Sequence, residues 1–117
     1  MKLYLDTLYF DYVIIGIQKY EIFIYDKKNQ SIKLLDNIEI IDKNSDRKFN
    51  ATVTELSYHK YIINAIEEVG FEKVLPNAIS LIEAVKLYGD LSYGKKKYRD
   101  VEEEYGVLRI KFQIITS

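Results

Sequence analysis

Apolar and polar residues alternate along this chain with two periods, and each change of period marks an element. In Leu108-Arg109-Ile110-Lys111-Phe112-Gln113-Ile114 every second residue is apolar. That is the pattern of a strand with one face on a core and one on water, and it predicts a strand over residues 107–115. Phe49, Ala51 and Val53 alternate with Asn50, Thr52 and Thr54 in the same way, predicting a strand over 49–56. A third strand is expected over 37–42, with Ile38 and Ile40 on one face. The β-branched and aromatic run Tyr20-Glu21-Ile22-Phe23-Ile24-Tyr25 predicts a fourth. Elsewhere the period lengthens. Tyr58, Tyr61, Ile62, Ala65, Ile66 and Val69 form the single apolar stripe of an amphipathic helix, and Gly70 follows as its stop.

Local signals supply the remaining boundaries. Thr7 is a candidate cap for a helix over 8–15, ended by Gly16 in the left-handed region. Ser80-Leu81-Ile82-Glu83 has the spacing of a capping box, in which the Ser hydroxyl accepts from the Glu amide and the Glu carboxylate reaches back. The helix it opens is expected to run to Tyr88 and stop at Gly89. Residues 26–31 form a polar turn, 32–35 a short apolar piece, 42–48 a charged hairpin loop, and 90–104 a polar loop or short solvated helix. The order is helix, three strands, two helices, strand. It predicts one α+β domain over residues 1–117: a small curved antiparallel or mixed β-barrel with three helices packed against it.

Composition narrows the function classes. The 117 residues are 48% apolar and 14% aromatic, which suits one folded domain with a buried core. A net charge of −1 excludes a uniformly basic polyanion binder but allows a local basic patch. The absence of cysteine removes disulfides, thiol nucleophiles and Cys-ligated zinc. A single histidine, His59, removes His-pair metal motifs. No metal or other cofactor is expected. No apolar run approaches the roughly 20 residues of a membrane span. Met1-Lys2-Leu3-Tyr4-Leu5-Asp6 lacks the layout of a secretory signal, so a cytoplasmic location is expected. Seventeen Ile and 14 Lys against 3 Arg and 4 Ala suit a low-GC genome, so the Ile and Tyr counts carry no functional weight.

The segment Tyr9-Phe10-Asp11-Tyr12-Val13-Ile14-Ile15-Gly16-Ile17-Gln18-Lys19-Tyr20-Glu21 resembles the opening of an ASCH domain, a branch of the PUA-like fold. There a short helix ends in Gly and the signature G-x-K-x-x-E-x-R follows. Tyr25-Asp26-Lys27-Lys28, Ile32-Lys33 and Asp36-Asn37-Ile38 resemble the family's next turn and its Gly-Asp strand entry. Val69-Gly70-Phe71-Glu72-Lys73-Val74-Leu75-Pro76, residues 80–88 and Glu104-Tyr105-Gly106-Val107-Leu108 continue the likeness in order. The resemblance implies a cleft between barrel and helices that binds RNA or a nucleotide. Some relatives are small enzymes, among them an amidohydrolase acting on N4-acetylcytidine, in which the signature Lys is catalytic, and proposed ribonucleases. This chain departs from the pattern: Gln18 replaces the signature Lys, Phe23 the Arg, and Leu35 the Gly before Asp36, while Glu21 is kept. The loop between Tyr88 and Tyr105 is also longer.

Those departures set the candidate residues. An amide hydrogen-bonds but carries no charge, so Gln18, Glu21 and Phe23 read as a depleted binding cleft. Glu21 would read a base edge, or serve as general base if an activity persists, with Lys19 as its cation. Lys19 takes the place of Gln18 only if the register shifts by one residue, and in a strand that shift would point it to the opposite face. A buried Glu21 without a cation should have a raised pKa. Tyr93, Lys95, Lys96, Lys97, Tyr98 and Arg99 combine phosphate-neutralising and base-stacking side chains, although Asp100, Glu102, Glu103 and Glu104 follow them directly. Arg109 and Lys111, on the polar side of the last strand, could extend that surface. His59 reads as a partly exposed helix residue, Asp36 and Asp42 as unpaired, and Tyr58, Tyr61 and Tyr88 as core. The partners implied are RNA or a modified nucleotide, or else a protein docking on a cleft floored by Phe23. A small amidohydrolase or ribonuclease is the enzymatic alternative.

Overall fold

The computed structural model describes residues 1–115. Its centre is a five-stranded mixed sheet built from β1 (Lys2–Leu5), β2 (Tyr20–Ile24), β3 (Asn37–Asp42), β4 (Lys48–His59) and the last long strand, Val107–Ile114. Between β4 and that last strand lie a two-stranded hairpin, β5 (Ser92–Tyr93) with β6 (Lys96–Lys97), and three of the four helices, so the last strand is β7. The helices are α1 (Thr7–Ile14), α2 (Ile62–Val69), α3 (Leu81–Gly89) and α4 (Tyr98–Tyr105). Strand order is β1-β3-β4-β7-β2, with β1 parallel to β3 and the other neighbours antiparallel. The sheet twists and curls into a half-barrel, helped by a register shift between Val53 and Glu55. The α+β curved sheet is as expected. Among the described residues the α-helices number four rather than three, because the polar stretch after Gly89, open between loop and short helix on sequence, contains α4.

Both faces of the sheet are covered, which accounts for most differences from the sequence expectations. Inside the curl, Leu108, Ile110 and Phe112 of β7 meet Ile38, Ile40, Ala51 and Val53, closed by Phe10 and Val13 of α1. On the other face, Val107 packs with Ile22 and Ile24 of β2, Ile62, Ala65 and Ile66 of α2, Tyr88 of α3 and Val101 of α4. Arg109 therefore sits under α2 instead of in solvent, with only 2% of its surface exposed.

Two element boundaries also move. β4 keeps pairing with β7 through Tyr58–Leu108 and His59–Val107, so α2 starts at Ile62 and Tyr58 is 55% exposed instead of core. Thr7 does not cap α1; its hydroxyl donates to Asp42 Oδ1 at 2.9 Å. Gly16 does take φ +85°, just past the end of α1. Ser80 Oγ accepts from Glu83 N at 3.1 Å as the box requires, while the Glu83 carboxylate accepts from Ile79 N, one residue earlier than the box places it. α3 also continues through Gly89, where a Cβ would lie 3.3 Å from Arg99 Cβ, so the glycine serves the close approach of α4. β1 carries no clear periodic signal: it is four residues long, with Leu3 as its buried side chain.

Candidate functional site

A half-barrel leaves its first and last strands as separate edges. Here they are β1 and β2, and a cavity of about 370 Å³ opens between them under α3 and α4. Leu3 and Leu5 line it from β1, Glu21 and Phe23 from β2, Tyr88 from α3 and Tyr98 from α4. The period of β2 explains its part. Tyr20, Ile22 and Ile24 turn to the helices, which sends Glu21 and Phe23 to the other side, at the edge of the curl. Gln18, in the turn before β2, lines the same cavity. The three residues that the sequence placed in a cleft thus do share one.

The polar groups of this slot are buried, and their hydrogen bonding is incomplete. Gln18 is 3% exposed, and its Oε1 is buried with no hydrogen-bond partner. Glu21 is 7% exposed; its Oε1 accepts a short 2.5 Å bond from Tyr88 Oη and a long one from its neighbour Ile22 N. No cation pairs with Glu21 among the described residues. Burial pushes its pKa up to about 7, and the bonds from Tyr88 and Ile22 offset only part of that rise. The Tyr88 phenol is held well above its ordinary value, first by burial and then by the adjacent carboxylate. Burial likewise raises Tyr98. Near neutral pH, Glu21 is therefore poised between a proton donor and a pure acceptor.

The other sequence candidates fall around the slot. Lys19 is exposed and lines a separate open groove with Lys111 and Thr54, which meets the slot only at Gln18. It does not stand beside Glu21. The basic run forms the β5–β6 hairpin, turning at Gly94 with φ +60°. Tyr98 N donates to Leu91 O at 2.9 Å across its base, and since both residues line the slot, the hairpin rises from the slot's rim. Tyr93 Oη is engaged by Asp26 Oδ2 at 2.6 Å, Arg99 is paired with Asp90, and Lys97 lies 3.7 Å from the same carboxylate. Lys95 and Lys96 are exposed and form no ion pair among the described residues.

Sequence reasoning missed Lys43. It follows β3, lines the slot, and reaches Asp6 Oδ1 at 3.2 Å. Only the parallel pairing of β1 with β3 brings these two residues together, and no local pattern signals that pairing.

The remaining candidates are occupied structurally. Arg109 donates to Ala65 O at 2.8 Å and to Glu68 Oε1 at 2.7 Å. His59 is part-buried as expected but ends β4 instead of lying in a helix; its Nε2 lies 2.7 Å from Ser57 Oγ. Burial and the Arg109 charge push its pKa below the ordinary value. Asp36 accepts from Lys33 N in one turn, whereas Asp42 accepts from Asn44 N, Thr7, Ser45 and Arg47 in another. Those bonds, the Asn44 amide foremost, lower the Asp42 pKa to about 2. No group of three or more His, Cys, Asp or Glu suited to a metal occurs among the described residues. Nor is any helix there long and apolar enough to cross a membrane.

The fold has solved counterparts. A crystal structure of hypothetical protein PH0355 superposes with a TM-score of 0.81, at 26% identity over 97% of each chain. A solution NMR structure of protein PF0455 from Pyrococcus furiosus gives 0.75, at 22% identity, covering 99% of this chain and 97% of that one. Both share the small fold with the curled mixed sheet. No protein-family model matches the sequence, and no curated protein matches it.

Proposed function

We propose that this chain is an ASCH-like, PUA-like binding domain whose slot takes a nucleobase of RNA or of a modified nucleotide without acting on it chemically. The observation that carries this reading is the pairing of a buried, unpartnered Gln18 amide oxygen with a buried Glu21 in one cavity. Leaving such groups unsatisfied costs stability, and a ligand with complementary polar groups removes that cost. The volume falls within the range of about 300–1,000 Å³ typical of small-molecule sites. Tyr98 and Phe23 offer aromatic surface to a planar ring. The β5–β6 hairpin adds Lys95 and Lys96 for phosphate, within roughly 10 Å of the rim at about 3.3 Å per strand residue. A binding role is favoured over catalysis because Gln18 stands where the signature lysine would be, and Lys19 lies in the neighbouring groove.

Titration of the 15N-labelled protein with nucleoside monophosphates and short single-stranded RNAs tests the reading. The amides of Gln18, Glu21, Phe23 and Tyr98 should shift in common. RNA affinity should fall as salt rises, and Lys95→Glu with Lys96→Glu should lower the log–log salt slope by about one for each phosphate those lysines neutralise. N4-acetylcytidine should be returned intact. Silence of the slot amides at millimolar nucleotide and low salt would overturn the proposal.

A further inference from the structure

We infer, resting on the nucleobase reading above, that the slot prefers a base carrying a positive charge, such as a ring-N-methylated adenine or cytosine, to a neutral base. The first ground is a buried acid with a free oxygen and no counter-charge. Glu21 is 7% exposed, and its Oε1 is taken by Tyr88 Oη and Ile22 N. Its Oε2 accepts no hydrogen bond within the described residues. Among those residues the fully enclosed side-chain atoms without a partner are Gln18 Oε1 and Arg109 Nε, so Glu21 Oε2 keeps some accessible surface, and Glu21 lines the slot. The lysine at the slot, Lys43, does not neutralise it, because Lys43 is held at the mouth by Asp6 at 3.2 Å. A buried carboxylate is stabilised most by a ligand that brings the missing charge together with an N–H donor.

The second ground is the aromatic lining. Phe23 lies two residues beyond Glu21 on the same side of β2. Tyr98 is close enough for the Glu21 charge to add to the rise in its own pKa. Tyr9 lines the same slot from α1. Phe23, Tyr98 and Tyr9 are all half-buried, so part of each remains open to an occupant. The faces of aromatic rings carry negative potential and attract cations. Carboxylate and rings therefore favour the same sign of charge.

The slot's other groups favour a base over a simple ammonium ion. Gln18 Nε2 and Tyr98 Oη have no hydrogen-bond partner within the described residues, and both side chains line the slot. They call for acceptors, which a methylated base has and a quaternary ammonium lacks. Lys95 and Lys96 on the hairpin attract the phosphate of a nucleotide and repel a basic peptide. In 1-methyladenine and 3-methylcytosine the charge is shared with an exocyclic amino group, which supplies the N–H donor for Glu21 Oε2.

Binding also moves a proton. Glu21 is faced by Tyr88 from α3, Tyr98 from α4 and the Ile22 amide of β2, with Asp6 and Lys43 at the mouth. Tyr88 and Tyr98 are neutral at pH 7, which leaves Glu21 as the buried counter-charge for the ligand. Its pKa of about 7 falls when a cation arrives, so below pH 7 the complex releases up to about one proton.

Isomer pairs test the charge alone. The probes are 1-methyladenosine and N6-methyladenosine monophosphates, then 3-methylcytidine and 5-methylcytidine monophosphates, measured by calorimetry at low salt. Within each pair the first is cationic at neutral pH and the second neutral. The cationic isomer should bind about 10- to 100-fold more tightly. At pH 6.5, in two buffers of different ionisation enthalpy, it should release a proton that its neutral isomer does not. Glu21→Gln should abolish both the preference and the proton release while the neutral isomers still bind. Phe23→Leu should narrow the preference. A pentamer with one central 1-methyladenosine separates the sources: with the preference retained, tighter binding than the mononucleotide assigns the base to an RNA strand, and parity assigns it to a free nucleotide. Equal binding of the isomers, a preference that survives Glu21→Gln, or displacement of the nucleotide by a trimethyllysine peptide would overturn the charge selection alone. Failure of every nucleotide and RNA to bind would overturn the nucleobase reading together with it.

Discussion

Glu21 is costly to keep where it is. Its pKa is near 4.5 in an unfolded chain and about 7 in the fold. Between these values the folded protein holds a proton that the unfolded chain has released, so stability falls as pH rises from 4.5 to about 7 and levels off above. At about 1.4 kcal/mol per pH unit, the cost at pH 8 is on the order of 3 kcal/mol. Glu21→Gln keeps an acceptor for Tyr88 and removes the ionisation. In urea denaturation the variant should be more stable than the parent by roughly that 3 kcal/mol at pH 8 and equal to it near pH 4. Equal stability at both pH values would show that Glu21 is hydrated. Leu35 carries a second local cost. It takes φ +69° on an exposed loop, at the position where the family resemblance places a glycine. Leu35→Gly should raise stability by up to about 1 kcal/mol, relief of the left-handed strain outweighing the entropy glycine loses on folding. The sequence exposed both features, Glu21 as an acid without a cation and Leu35 as a misfit. It did not reveal Lys43, whose place depends on a pairing between β1 and β3.

Among the elements, β4 was the least legible. Tyr58 and Tyr61 extend the apolar stripe of α2 backward at helical spacing, so periodicity alone predicts a helix there. Pairing decides otherwise: the start of β7 holds Tyr58 and His59 in the sheet, and the turn into β7 makes this possible. Gly106 has φ +74°, and a Cβ on it would stand 3.0 Å from His59 O. Gly106→Ala should therefore destabilise the fold by about 1–3 kcal/mol, combining backbone strain with a clash that cannot relax away from the sheet. Thermal or urea unfolding measures this. A neutral result would mean that β4 and β7 separate at this end at little cost. The hairpin β5–β6 was hidden, and α4 was only one of two alternatives, for a different reason. Alternating charges carry no hydrophobic period, and the apolar residues that anchor this region, Val101 and Tyr98, are too few to make one.

At the scale of the molecule, the curl both creates the slot and hides charge elsewhere. A net charge of −1 leaves the distribution of cations to decide where a polyanion can bind. On sequence pattern Arg109 belongs to the polar face of an amphipathic strand and would join Lys111 in such a surface. Strand alternation identifies which side a residue faces but not whether a helix covers that side, and α2 covers this one. The guanidinium is consequently engaged within the fold, bonded to Ala65 O and Glu68 and lying 5.2 Å over the Tyr20 ring. Arg109→Met preserves the apolar stem and removes those bonds. Since Glu68 is half-exposed and can be rehydrated, the expected loss is about 2 kcal/mol in denaturation, less than for a fully buried pair. The folded variant should bind RNA as the parent does, with the same salt slope, because the cations left for phosphate are on the hairpin and in the groove of Lys19 and Lys111. A drop in that slope at unchanged stability would reverse the assignment and make Arg109 a phosphate ligand, which would require α2 to lift from β7 when RNA binds.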